Sequence, residues 1–418
     1  MPDPRPASRV RDATVEGRGA WVAAGAALAL LSFSYGSPLL LVVGLKPIAD
    51  GLGIDREAVS LAVALTWFGT GVGGILMGWL ADRVGIRRIV ILGATMIAAG
   101  LFLSATGKLW ALYVGQGLLM GLLGNGAMMP PLMVYVSRWF EARRGTALAL
   151  ISSGQYVGGM IWPSLFERAF AHYGWQMTMV LFGIVCVATI VPLALLFLHP
   201  APGAAATAGT VAPRAQKRQS VLSLPPNLVM AMLCAAGFCC CVPMALPQSQ
   251  LVALCSDVGV SAVGGAAMLS VLQGCAFVGR QFWGWVADRI GGLPTLLMGE
   301  LCQTLAIAAF LLTQSEGGLF TVSAVFGLGF SGIIPSYVLV IRELFPSKEA
   351  SWRVPSMLFV SMGGMAFGSW FAGALYDHFG FYGPAITIGV LFNLANVALI
   401  GFLALRRGWG RGLRPAAA

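Results

Sequence analysis

Apolar runs of about 20 residues, the length a helix needs to cross a hydrocarbon core, recur from Trp21 to Leu405 with few polar interruptions. Soluble domains carry about 25% charged residues. Here 58% of 418 residues are hydrophobic and 10% are charged, so the bilayer is the solvent this composition fits. Twelve spans are predicted, over residues 21–45, 58–80, 87–106, 109–136, 146–166, 176–198, 227–251, 262–286, 293–313, 318–341, 354–376 and 382–405. Inside lipid each backbone group must find its partner within its own segment, so spans of this length are helices and the fold class is an all-α membrane protein.

The net charge of +10 is distributed by topology. With the N-terminus inside, the inner segments hold Arg5, Arg9, Arg11 and Arg18, then Arg83, Arg87 and Arg88, then Arg138, Arg143 and Arg144, and later Arg214, Lys217, Arg218, Arg289, Arg342, Lys348, Arg353 and the tail arginines. The outer loops keep only Lys46, Arg56, Lys108 and Arg168. That bias obeys the positive-inside rule and predicts a multi-pass protein of the inner or plasma membrane with both termini cytoplasmic. No basic patch with interleaved aromatics marks a nucleic-acid partner. The first 20 residues are polar and arginine-rich, without the apolar core of a cleavable signal, so span 1 is expected to direct its own insertion. The eight cysteines have no histidine at zinc-ligand spacing. No metal, cofactor or catalytic residue is expected, since no His, Asp or Cys cluster stands at catalytic spacing inside the spans.

The chain repeats itself. Gly78-Trp79-Leu80-Ala81-Asp82-Arg83-Val84-Gly85 returns as Gly284-Trp285-Val286-Ala287-Asp288-Arg289-Ile290-Gly291, at an offset of 206. Pro130 and Phe140 match Pro335 and Phe345 at 205, Gly158-Gly159 match Gly363-Gly364, and Pro38 matches Pro243. A fixed period near half the chain length means two copies of one unit. The predicted organisation is an N-terminal tail (1–20), a six-helix bundle (21–198), a Pro-, Gly- and Ala-rich cytoplasmic linker (199–226), a second, pseudo-symmetric six-helix bundle (227–405) and a C-terminal tail (406–418).

Twelve spans in two parallel halves resemble the major facilitator superfamily. Gly78, Asp82, Arg83, Gly85, Arg87 and Arg88 are similar to its signature between spans 2 and 3. The resemblance implies an inner gate built from Gly78, Asp82, Arg83 and Arg143 with Asp288 and Arg289, strongest when the carrier opens outward. Glycine there would let helix ends pack closely. Within the superfamily, Trp139-Phe140-Glu141-Ala142-Arg143-Arg144-Gly145-Thr146 and the glycines at 154 and 158 resemble the span 5 signature of the monocarboxylate transporter family. Glu16-Gly17 followed by Trp21 matches its span 1 signature in part. The bacterial oxalate/formate antiporters share much of the span 5 pattern.

Arg280 is the basic residue that no loop claims. Eight residues before Asp288, it lies roughly 12 Å into span 8 at 1.5 Å per residue. An arginine there costs about 2.5–3.5 kcal/mol or more on insertion scales and must face a cavity or a partner. Its planar fork accepts a carboxylate through two hydrogen bonds. The equivalent first-half position is Gly74, so Arg280 breaks the repeat. The resemblance implies the same role, since a span 8 arginine binds the substrate carboxylate in the monocarboxylate family. The competing reading pairs Arg280 permanently with Glu300. Tyr35, Tyr337, Asn125, Gln155 with Tyr156 beside it, and Gln273 are the other candidate cavity residues, Tyr35 and Tyr337 foremost because spans 1, 4, 7 and 10 face the cavity in this fold.

The expected function is secondary active transport of small monocarboxylates such as lactate or pyruvate by alternating access, with proton symport. The alternative is an oxalate/formate-type organic anion antiporter. Two family positions differ here: the lysine after the span 1 proline is Leu39, and the aspartate one turn before the span 8 arginine is Ala276. The proton carrier therefore stays open among Asp257, Glu300, Asp377, His378 and the pair formed by substrate and Arg280. Residues 354–376 hold no second cation, so one arginine would match one carboxylate. The expected partners are a small organic anion, protons and the lipid bilayer, with the monomer as working unit.

Overall fold

The structure, a computed structural model, describes residues 17–140, 144–199, 222 and 224–412. These are helical almost throughout. The first four spans are α1 (Arg18–Val43), α2 (Arg56–Val84), α3 (Ile86–Ser104) and α4 (Leu109–Ser137), with a short helix, Leu45–Leu52, between α1 and α2. Next comes an apolar helical stretch of 52 residues, Thr146–Phe197, which as one straight helix would be about 78 Å long. It is broken at Gly174, whose φ of 74° and ψ of 168° lie in a region that side chains other than glycine avoid. The stretch is thus α5 (146–173) and α6 (175–197), and among the described residues eleven long apolar helices make twelve crossings. The second half contains α7 (Pro226–Asp257), α8 (Ala262–Ile290), α9 (Gly292–Ala309), α10 (Glu316–Leu344), α11 (Ser347–Phe379) and α12 (Gly383–Gly412). Most of the predicted linker and tails lies outside the described residues, as does Arg143.

Lipid supplies no hydrophobic drive between helices, so close packing of small residues supplies it instead. α2 meets α4 at Gly73, where a Cβ would strike the Leu122 carbonyl of α4. Large apolar side chains such as Leu196, Leu305, Leu391 and Leu405 stay exposed on the periphery and form the lipid-facing surface. Two helices depart from α geometry in ways the apolar pattern does not foretell. α4 widens to a π-type helix over Val114–Gly124 and tightens to a 3-10 turn over Asn125–Ala127. α10 is interrupted between Phe330 and Ile333.

The bundles meet along two seams, α2 against α11 and α5 against α8. Below, the face carrying Asp82 and Asp288 is called inner, following the charge bias.

Candidate functional site

Arg280 lies half-buried on the α5–α8 seam. Its Nη1 donates to the Tyr156 hydroxyl of α5 across the seam, at 2.9 Å, and to the Ser331 carbonyl, at 3.4 Å. That carbonyl is free for a reason written in the sequence: its helical donor four residues on would be Pro335, which has no N–H. No described carboxylate lies within ion-pair distance of Arg280, and its Nε and Nη2 edge has no acceptor among the described residues. The permanent Arg280–Glu300 pair is therefore wrong. Glu300 is fully buried elsewhere, facing Asn396, Cys240 and Tyr337.

A second buried arginine makes the contrast plain. Arg353, 3% exposed, is held by Glu349 at 2.8 Å and by Asn227 at 3.1 Å, and stacks on Phe345 and Trp352. Its charge is already matched. Arg280 keeps a bidentate edge open.

Gln273 stands two turns before Arg280 on α8, buried, with both amide atoms unpartnered. It faces Tyr35 of α1, which in turn is close to Tyr156. Phe330 closes on the Tyr156 ring edge at 6.3 Å. Arg280, Tyr156, Gln273 and Tyr35 thus form one cluster drawn from both halves.

Three predicted cavity residues lie elsewhere. Tyr337 is fully buried and donates to Asn396 Oδ1 at 2.8 Å, because α10 turns it into the second bundle. Gln155 precedes Tyr156, and neighbouring residues on a helix point about 100° apart; Tyr156 is the one that reaches Arg280. Asn125 sits in the tight turn of α4, and no hydrogen bond joins it to the cluster.

The outer ends of the halves are tied together. Arg56 of α2 makes a two-pronged pair with Asp257 of α7, at 2.5 and 2.7 Å, and Lys46 adds a contact at 3.4 Å. Asp377 of α11 accepts from the Arg56 and Glu57 backbone N–H groups at the start of α2. Trp370 donates to Glu57, and Tyr382 donates to Gln250, whose amide donates to Ser60. Asp257 and Asp377 are thus committed to an outer lock. His378 does not share a hydrogen bond with Asp377; it is exposed, against the Phe379 ring. The clue missed in the sequence is that Lys46 and Arg56 stand on a face almost stripped of cations.

On the inner face Asp82 pairs with Arg138 at 2.6 Å, within its own half. Arg83 stacks on Trp79 and Arg289 on Trp285, at 3.8 and 3.6 Å. Asp288 is exposed, with no ion pair among the described residues. A Cβ at Gly78 or Gly284 would meet nothing within 4 Å, so the close packing expected of these glycines is not made in this conformation. Among the described residues, the inter-half hydrogen bond nearest the inner face joins Gln281 to Ser153, one residue from Arg280. The lock is outside, and among the described residues no hydrogen bond joins the halves inward of Gln281 and Ser153.

Comparison with known proteins agrees with this architecture. Residues 22–352 match the family model described as Major Facilitator Superfamily. The MFS-type transporter pynF of Aspergillus niger is 27% identical over 85% of this chain and 82% of its own length. Monocarboxylate transporter 13 of Bos taurus is 26% identical over 82% of this chain and 78% of its own. Among solved structures, an inward-facing, unoccupied bacterial homologue of the human lysosomal transporter Spinster shares the fold, with a TM-score of 0.67, 16% identity and coverage of 94% of this chain and 96% of its own.

Proposed function

The chain belongs to the Major Facilitator Superfamily and is a multi-pass membrane transporter, not an enzyme; from that premise we propose that it carries small monocarboxylate anions by alternating access with proton symport. The observation that carries the reading is the unpaired Nε and Nη2 edge of Arg280, half-buried where the two halves touch. A carboxylate docking there forms two charge-assisted hydrogen bonds and neutralises the one cation of the cluster. Tyr156, already on Nη1 from the opposite half, lies beside the incoming anion, so one small ligand touches both bundles. The likeness to Monocarboxylate transporter 13 of Bos taurus supports the same substrate class.

In the present state the outer lock is shut. Substrate would enter or leave inward of Arg280, and rocking about the α2–α11 and α5–α8 seams would break the Arg56–Asp257 pair while closing the inner ends. A co-transported proton keeps the cycle electroneutral for a monoanion.

The test is uptake of labelled lactate, pyruvate, formate and oxalate into proteoliposomes, with and without an inward proton gradient. Gradient-driven uptake of monocarboxylates, lost in Arg280→Ala, is expected. Uptake that instead needs internal anion and ignores the gradient would establish an antiporter.

A further inference from the structure

A buried polar cluster inside the second bundle takes no part in anion binding. α9 turns Glu300, Gln303 and Thr304 onto one face, as residues three and four apart must be. α12 brings Asn393 and Asn396, α10 brings Tyr337, and α7 brings Cys240. All seven are buried, and all but Thr304 are 0% exposed. Their hydrogen bonds are Tyr337 hydroxyl to Asn396 Oδ1 at 2.8 Å, Gln303 Nε2 to the Cys240 carbonyl at 3.0 Å and Asn393 Nδ2 to Thr304 Oγ1 at 3.0 Å.

What remains unpaired is lopsided. Both Glu300 oxygens, Gln303 Oε1 and Asn393 Oδ1 have no partner, against one orphan amide donor, Asn396 Nδ2, and the weak S–H donor of Cys240. Four oxygen acceptors thus face one N–H donor and one weak S–H. The titratable groups turned toward Glu300 are Cys239 and Cys240 from α7, with Cys241 beside Cys240, and Tyr337 from α10; α12 supplies only amides, and no described cation pairs with the carboxyl. An ionised carboxylate so placed costs several kcal/mol, and each unpaired acceptor adds its own desolvation penalty.

We propose that Glu300 is a proton-binding site, holding its carboxyl as the neutral acid inside the second bundle. One proton reduces the imbalance. It turns one Glu300 oxygen from acceptor into donor, within a helical turn of the orphan Gln303 Oε1, and leaves the other oxygen to accept from Asn396 Nδ2. A metal ion fits less well, because the Asn396 amide would present N–H groups to it, and no group of three His, Cys, Asp or Glu side chains stands together among the described residues.

The site is linked to the anion site through α10. The inner half of α10, Ile333–Leu344, carries Tyr337 into the Glu300 cluster, and the Ser331 carbonyl just before it accepts from Arg280. An anion that draws Arg280 away from Ser331 shifts the half-helix that packs on Glu300. This coupling deepens the symport reading and rests on it; the proton site itself does not.

Two measurements separate them. Infrared spectra of the purified protein in nanodiscs at neutral pH should show the C=O band of a protonated carboxylic acid, removed in Glu300→Gln and shifted in Asn396→Ala, which deletes the orphan donor. In proteoliposomes, Glu300→Gln should keep lactate counterflow within about twofold of the parent while losing stimulation by an inward proton gradient. Absence of the band in the unmodified protein overturns the proposal without any variant. Full gradient stimulation in Glu300→Gln overturns the coupling. If the unmodified protein moves none of the anions tested, the substrate reading fails while the band still decides Glu300.

Discussion

The two inner loops carry nearly the same eight residues, and they are wired differently. In the first half Asp82 pairs with Arg138. At the equivalent place, 205 residues on, stands Glu343, which cannot pair with Asp288. Glu343 turns instead to the Gly292 backbone N–H, at 2.7 Å, and to Arg407 of α12, also at 2.7 Å. Deeper in the membrane the difference grows. Gly74 of α2 packs against Pro130, whereas Arg280 at the matching place of α8 reaches across to Tyr156. The repeat supplies a symmetric frame of helices, and chemistry enters where one copy changes charge.

The strongest way to break this comparison is to restore the symmetry. Arg280→Gly gives α8 the residue its counterpart has, and monocarboxylate uptake should fall at least about 30-fold, the equivalent of the 2–5 kcal/mol typical when one partner of a desolvated charge pair is removed. Arg280→Lys keeps the charge without the fork and should recover only part of it. Uptake undiminished in Arg280→Gly would mean that the asymmetry is unrelated to substrate.

A second test uses empty space. Because a Cβ at Gly78 meets nothing within 4 Å here, Gly78→Leu should leave thermal stability nearly unchanged in this conformation. If the opposite conformation packs that face, overpacking by about 1–3 kcal/mol should slow transport roughly 5- to 150-fold. Normal transport in Gly78→Leu would remove this glycine from the gating motion.

These cases show what was legible in the sequence. Spans and their pairing into halves come from apolar length and a repeat offset, which the bilayer enforces backbone by backbone. Arg280 was legible because a central charge is costly. Of its neighbours, Tyr35 and Gln273 were legible as polar groups in apolar spans, but which face of α5 or α10 meets α8 depends on helix rotation and kinks, which choose Tyr156 over the adjacent Gln155 and a carbonyl freed by Pro335 over the Tyr337 hydroxyl. The outer lock was hidden for a further reason. Arg56, Asp257 and Asp377 are far apart in sequence and obey no helical period, so only the assembled halves bring them together.

The lock itself gives the next effect in size. Asp257→Asn removes the negative charge that Arg56 and Lys46 share and turns one of its two acceptor oxygens into a donor amide, at partly exposed positions where such pairs are worth about 1–2 kcal/mol when two-pronged and networked. Spin-label distances across the outer ends of α2 and α8 should shift toward the outward-open state by roughly 5- to 30-fold in population. High salt should mimic the variant in the parent protein and change the variant little. An unshifted distribution would show that the remaining outer ties, from Asp377 and Trp370 to the start of α2, hold the face without it.

The smallest effect separates the two inner loops directly. Asp82 and Arg138 have side chains 58% and 39% exposed, so water screens their attraction and Arg138→Ala should change stability by less than about 1 kcal/mol. Glu343 is more enclosed, with its side chain 22% exposed, and it satisfies a helix-start N–H as well as Arg407. Losing such a cap costs about 1 kcal/mol by itself, so Glu343→Ala should lower the melting temperature more than Arg138→Ala does. Equal losses would mean that the two halves use their inner loops alike and that the exchange of Arg138 for Glu343 carries no structural weight.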